Sequence, residues 1–310
     1  MTTEPLLKCT NVRKTFGTMQ ALKEVHIELK KGEVHGLVGE NGAGKSTLLR
    51  ILAGVHQADG GTGIIYDNEN YVPANAIDAL RKGIVTIHQD INLIGTMTVA
   101  ENILLNNEPS GAAGLVSAKT MNKIAADLLR TYHLDVDPAK PVNELPNDIK
   151  KMLQIVKAMT WNPKVLLMDE PTSSLTNVEV EVVLTLVRDL ANRGVSVVFV
   201  SHYLSEVFAV CDNITVMRDG RTVGTFLTAE TKLADIVRNM LGRELVEDQA
   251  RSKSSVTKNE VLLSVRNLTV PGALQDISFD LHKGEILGFT GLTGSGLSEL
   301  ARAIYGVSGL

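Results

Sequence analysis

Short apolar runs alternate along this chain with longer stretches whose apolar positions recur at helical spacing. Val34–Val38 is one such run; it ends in the glycine-rich segment Gly39–Thr47 and is followed by the amphipathic LLRILAGV. That order predicts a strand, a glycine loop and a helix. Val85–His88, Val165–Asp169 and Val195–Ser201 are further runs rich in β-branched residues, separated by helical segments that include Val178–Asn192. The alternation predicts an α/β domain with a largely parallel central sheet. Met97–Met159 has mostly helical patterning, which predicts an inserted helical subdomain. Ile214–Arg218 and Arg221–Phe226 flank an Asp219-Gly220 turn and read as a hairpin.

Sliding the chain along itself exposes a repeat. ALKEVHIELKKGEVHGLVGENGAGKSTLLRILAGV, from Ala21, returns from Ala273 as ALQDISFDLHKGEILGFTGLTGSGLSELARAIYGV without a gap, at an offset of 273 − 21 = 252. The period is that of a whole domain, so two related units are expected in tandem: a first at 1–245, a polar, Ser-rich linker at 246–259, and the start of a second at 260–310. A complete second unit would need more residues than remain before Leu310, so the second unit reads as cut off.

Composition narrows the class. Of the 310 residues, 44% are hydrophobic and 21% charged, an ordinary globular balance that excludes a disordered, collagen-like or coiled-coil chain. The formal net charge of −4 excludes a global electrostatic footprint for nucleic acid, so any polyanion must be held locally. Two cysteines, Cys9 and Cys211, form neither a metal-ligand spacing nor a disulfide framework, which fits a reducing compartment. The N-terminal MTTEPLLKCT has no basic and apolar signal-peptide regions, and the apolar runs are far shorter than the roughly 20 residues of a membrane-spanning helix.

Chemistry is most concentrated in Gly39-Glu40-Asn41-Gly42-Ala43-Gly44-Lys45-Ser46-Thr47, a complete phosphate-loop pattern between strand and helix. Glycines there let successive N–H groups point inward, and the helix N-terminus adds partial positive charge. Lys45 would reach the β- and γ-phosphates and Ser46 would bind Mg²⁺. In VLLMDEPTSSLT, Asp169 and Glu170 end a buried strand. Being adjacent, they face different ways and take different roles: Asp169 toward the Mg²⁺ shell, Glu170 toward the attacking water. Gln89, in IHQD, is a candidate ligand for Mg²⁺ and the lytic water, and His202, in FVSH, a candidate contact for the γ-phosphate. Each, taken alone, also reads as an ordinary loop glutamine and a structural histidine.

Together, in this order, the glycine loop, Gln89, Asp169-Glu170, the Ser173–Thr176 turn and His202 resemble the ATP-binding-cassette ATPases. The GENGAGKST loop, IHQD, the tandem repeat and a second loop without lysine are most similar to the monosaccharide-importer branch. The resemblance implies an α/β P-loop NTPase fold in which the ABC nucleotide-binding domain carries an antiparallel β subdomain and an inserted helical subdomain, with the start of a second such domain. It further implies ATP and Mg²⁺ as cofactors and a peripheral position on the cytoplasmic face of the cell membrane. As partners it implies membrane permease subunits, fed by an extracytoplasmic sugar-binding protein, and no nucleic acid. By position, Phe16 matches the aromatic that stacks on adenine in that family; a core or loop phenylalanine is the competing reading.

Two departures stand out. The family's Leu-Ser-Gly-Gly-Gln signature is here Leu145-Pro146-Asn147-Asp148-Ile149, in which Pro146 offers neither hydroxyl nor N–H and Asp148 sets a carboxylate where phosphate should arrive, although the segment can still cap a helix. In the second unit Leu297 occupies the place of Lys45 and Glu299 that of Thr47. Because cassettes of this family pack head to tail, one composite site would collect both defects and the other would be competent. This chain alone would then bind Mg-ATP but turn it over poorly. A tandem cassette acting on ribosomes or DNA, and an inactive fragment, are the competing readings.

Overall fold

The computed structural model describes residues 4–109, 117–173, 175–242, 260–291 and 294–307. It divides into two compact units, Met1–Glu244 and Leu245–Leu310. The linker expected at 246–259 lies outside the described residues.

In the first unit the chain runs β1 (Leu7–Phe16), β2 (Met19–Leu29), β3 (Val34–Val38), α1 (Lys45–Leu52), β4 (Gly63–Tyr66), β5 (Glu69–Asn70), α2 (Ala76–Arg81) and β6 (Ile84–Ile87). Then follow α3 (Val99–Leu104), α4 (Ala118–Thr131), α5 (Asn147–Met159), β7 (Val165–Asp169), α6 (Asn177–Asn192), β8 (Ser196–Val200), α7 (Leu204–Val210), β9 (Asn213–Arg218), β10 (Arg221–Leu227) and α8 (Leu233–Leu241). The strands form one sheet in the order β5-β4-β1-β2-β10-β9-β3-β8-β7-β6. The segment β9-β3-β8-β7-β6 is parallel, whereas β5-β4-β1-β2 and the β9–β10 hairpin are antiparallel.

Why β7 is an unbroken apolar run follows from its place inside the parallel part, between β8 and β6. Leu166 and Met168 pack on one face with α3 to α7, while Val165 and Leu167 pack on the other with α1, β1 and β2. A strand covered on both faces gains from every side chain, about 1.5–3 kcal/mol for each fully buried large apolar residue. The helical stretch expected at Met97–Met159 is present as α3, α4 and α5, and the expected hairpin is β9–β10. Two helices begin with reciprocal capping boxes, Thr98 with Glu101 on α3 and Thr176 with Glu179 on α6.

A buried polar chain ties β3 to β9 and β10. His35 is fully buried; its Nδ1 lies 2.9 Å from Glu33 Oε1 and its Nε2 2.7 Å from the Thr215 hydroxyl, which lies 2.7 Å from that of Thr225. Asn213 Nδ2 donates to Glu33 Oε1 at 2.6 Å, and the Lys30 N–H donates to Oε2 at 2.7 Å. Burial alone would raise the Glu33 carboxyl, but these hydrogen bonds and the neighbouring imidazole hold it below its ordinary 4.5. A carboxylate depressed in the folded state contributes stability that is fully present above 4.5 and is lost as pH falls through the folded value. Urea midpoints measured from pH 6 down to pH 3 should therefore drop for the native chain, and more shallowly for Glu33→Gln.

The second unit, described by itself, pairs β11 (Val261–Val270) with β12 (Leu274–His282) and ends in α9 (Leu297–Tyr305). Its counterpart of β3, residues 286–290, forms no strand, and Ile286 is 94% exposed. In the first unit β3 is held between β8 and β9, which come far later in the sequence. Among the described residues of the second unit, β11 and β12 pair only with each other and no strand flanks 286–290.

Candidate nucleotide site

The carboxyl ends of β3, β7 and β8 converge on the loop between β3 and α1. Gly39 opens the loop where a Cβ would stand 2.2 Å from the Met217 carbonyl oxygen, so only glycine lets the chain pass β9 here. Helix α1 follows Gly44 at φ 100°, and its free N–H groups face a cleft of about 470 Å³. Asn41 to Thr47, Asp169 and Glu170 line that cleft, together with Met19 to Ala21, Lys23 and the Asp219-Gly220 turn.

Lys45 curls back over its own loop, donating to the carbonyls of Gly39 at 2.7 Å and Glu40 at 3.1 Å. Burial lowers its pKa, and the carboxylates of Glu170 and Asp169 partly offset that. Asp169 is pushed up, first by burial and then by Glu170, against a hydrogen bond from Ser46 and the charges of Lys45 and His88. An oxygen pair, the Ser46 hydroxyl and the Asp169 carboxylate, fits a hard divalent cation. The donors of the loop and Lys45 fit a polyphosphate. These residues therefore suit Mg-ATP, with Ser46 and Asp169 toward the metal and the loop and Lys45 toward the phosphates.

Glu170 sits in the left-handed region at φ 50°, with its N–H donating to the Val200 carbonyl at 2.9 Å. Its Oε1 lies 3.3 Å from Nδ1 of His202, which is half-exposed. Thus Glu170, which lines the cleft, and His202, which does not, are brought together although they are read separately from the sequence. Gln89 does not line that cleft. It lines a second one of about 330 Å³ with Asn147, Lys151, Ser173 and Leu175. Phe16 also lies outside the lining of the nucleotide cleft; its ring packs edge-on against His56, 5.1 Å between centroids, with Lys14 Nζ 5.4 Å from its centre. Of the Ser173–Thr176 turn, Ser174 lies outside the described residues, as do Leu292 and Thr293 of the second glycine loop.

At the altered signature, α5 starts at Asn147 without a side-chain cap, so the capping expected there is not supplied by a side chain. Asp148 Oδ1 is buried without a hydrogen-bond partner. Sequence reasoning passed over two polar residues further along α5. The Lys151 ammonium donates to the Gln89 carbonyl, and Gln154 Nε2 donates to the Asp90 carbonyl at 2.9 Å. Both side chains are buried, so one face of α5 holds the Gln89–Asp90 backbone. The available signal was their i, i+3 spacing inside an otherwise apolar helical face.

Fold and site together define a P-loop nucleotide-binding protein of the α/β class. Residues 22–173 match the family model described as ABC transporter. The chain is 43% identical over 305 residues to a protein of Agrobacterium fabrum provisionally named ribose/galactose/methyl galactoside import ATP-binding protein 2, covering 98% of this chain and 59% of that one. A similarly named protein of Hahella chejuensis is 41% identical over 305 residues, with the same coverage. This chain thus spans about 59% of the length of these relatives. Among solved structures, cbiO1 from Clostridium perfringens, part of the ABC transporter complex cbiONQ, superposes with a TM-score of 0.64 at 25% identity, covering 77% of this chain and 97% of that one. A nucleotide-free ATP-binding cassette from an ABC transporter superposes with a TM-score of 0.65 at 24% identity, covering 79% and 98%. Residues 22–173 thus belong with the ABC transporter family, and the chain shares the fold of solved ATP-binding cassettes.

Proposed function

We propose that this chain is the nucleotide-binding part of an ATPase that energises import of a monosaccharide. The observation that carries the reading is the gathering of Lys45, Ser46, Asp169 and Glu170 around one cleft, with His202 against Glu170; the names of the relatives support its direction toward sugar import. In this reading Gly39 to Thr47 cradle the phosphates, Ser46 and Asp169 hold Mg²⁺, and Glu170 orients or deprotonates the attacking water. His202 contacts the γ-phosphate, Gln89 approaches the metal and water from the neighbouring cleft, and Phe16 offers a face to adenine. Among the described residues no helix is long and apolar enough to cross a membrane. On the names of the relatives, the reading assigns a peripheral position on the cytoplasmic face, bound to membrane permease subunits. Those in turn receive the sugar from an extracytoplasmic binding protein. The contact with the permease is assigned to residues 89–102 and the helical subdomain, beside an apolar groove of about 330 Å³ lined by Val55, Ile77, Leu80, Ile87 and Trp161.

The complete protein is proposed to hold one competent and one degenerate composite site. Leu145–Ile149 would meet the loop that carries Leu297, while the intact loop would meet a signature outside this chain. Leu297→Lys in the complete protein should then leave ATP turnover nearly unchanged; a gain of tenfold or more would sink the two-site assignment.

Affinity capture of the tagged chain from gently solubilised cells, combined with equilibrium binding of Mg-ATP, tests the whole reading. Recovery of a polytopic membrane protein and a solute-binding protein is the expected result. Recovery of ribosomes or nucleic acid instead would replace transport with another mechanical task while leaving the nucleotide site in place.

A further inference from the structure

Glu206, on α7, is a buried carboxyl, 7% exposed, that lines no part of the nucleotide cleft. One of its oxygens, Oε2, accepts two hydroxyl groups: that of Thr172 at 2.6 Å and that of Ser201 at 2.7 Å. Both donors are themselves buried, each 2% exposed. Ser201 Oγ also accepts the N–H of Tyr203 at 3.0 Å. Thr172 lies two residues after Glu170, in the loop that follows β7; Ser201 lies one residue before His202, at the end of β8.

We propose that Glu206 is a positioning residue that sets the spacing between Glu170 and His202 by holding the two loops that carry them. The proposal rests on the functional reading above, in which those two side chains act together. Three observations converge on it. A buried carboxyl is costly unless hydrogen-bonded, and here two buried hydroxyls satisfy it and need it as their acceptor, so the bridge specifies one arrangement of the two loops. Both hydroxyls meet on a single oxygen, which locks the β7 loop to the β8 loop at one point rather than along a yielding surface. Finally, Glu170 is held at φ 50°, a conformation that persists only where its surroundings over-determine it. The backbone bond from Glu170 to Val200 supplies one restraint. The Thr172–Glu206–Ser201 bridge supplies a second, closing a ring through Pro171 and His202 whose last contact is the 3.3 Å pair.

The test reads the pair directly and does not require turnover. The ring signal of His202 in a proton–carbon NMR spectrum, assigned by its disappearance in His202→Gln, is recorded at one pH with Glu170 intact and with Glu170→Gln. That substitution should displace the signal in the native background. In Glu206→Leu the displacement should shrink at least threefold, and Glu206→Gln, which keeps an acceptor oxygen in place, should restore it. Mg-ATP affinity should stay within about threefold of native in both Glu206 variants, because Glu206 lies outside the cleft. If Glu206→Leu fails to melt cooperatively, Thr172→Val removes one arm of the bridge with little change of shape and gives the same comparison. An unchanged displacement in Glu206→Leu, or in Thr172→Val when that variant takes its place, overturns the proposal, as does the lack of any displacement in the native background. Failure of the nucleotide reading would show separately, as loss of Mg-ATP binding in the native chain while the His202 displacement persists.

Discussion

Lys45→Ala is expected to weaken Mg-ATP binding about 100-fold while leaving the thermal transition cooperative. With its carbonyl partners at Gly39 and Glu40, the ammonium stands over the phosphate loop, where the charges of Glu170 and Asp169 act on it. Truncation removes a charge-assisted contact to phosphate worth about 1.5–3 kcal/mol, and it leaves two adjacent carboxylates facing an incoming polyanion. Near 3 kcal/mol, that amounts to about two decades in the dissociation constant. The two bonds that Lys45 loses lie within the loop itself, so the rest of the fold should lose little. Titration calorimetry with Mg-ATP checks it, and a change below about threefold would show that the loop's N–H groups alone carry the phosphates. The second unit displays a related substitution naturally: Leu297 stands where the first unit has Lys45.

Gly39→Ala should destabilise the first unit by about 3 kcal/mol or more, whereas Gly42→Ala in the same loop should cost only about 1 kcal/mol. The difference lies in what a methyl group would meet. At Gly39 a Cβ would overlap the Met217 carbonyl oxygen at 2.2 Å, a backbone atom fixed by β9, so strand and loop must separate. At Gly42 there is nothing within 4 Å, and only the positive φ of 85° opposes the substitution. Urea denaturation of both variants, followed by tryptophan fluorescence from Trp161, gives the two values on one scale. Equal costs would show that β9 yields and that the close approach at Gly39 has no role in holding the loop.

Much of this protein is readable from its chain order because the informative parts are local. A run such as VLLMD is buried on both faces wherever it sits in a parallel sheet, so its strand can be named without knowing its neighbours. The phosphate loop is likewise a local device, since its glycines, Lys45 and the following helix lie within a few residues of one another. Phe16 and Gln89 are different, because a lone aromatic or glutamine has no local pattern that says what faces it. In this structure Phe16 packs against His56, and Gln89 lies in a cleft beside α5, held there through its backbone by Lys151.

Glu206 shows the same limit from the other side. Nothing near it in SHYLSEVFAV distinguishes it from a surface glutamate of a short helix, and its partners Thr172 and Ser201 come from two different strand ends. The repeat makes the point on a larger scale. Residues 34–38 and 286–290 carry similar patterns, yet only the first forms a strand, because strand formation needs hydrogen-bonding neighbours that arrive from distant sequence. By itself, then, the sequence determined the α/β class, the tandem repeat, the phosphate loop and the pairing of Asp169 with Glu170, all of which rest on periodicity or short spacing. Tertiary structure decided that His202 meets Glu170, that Glu206 holds their loops, and that α5 grips the Gln89 backbone, because each of those contacts joins segments brought together only when the sheet assembles.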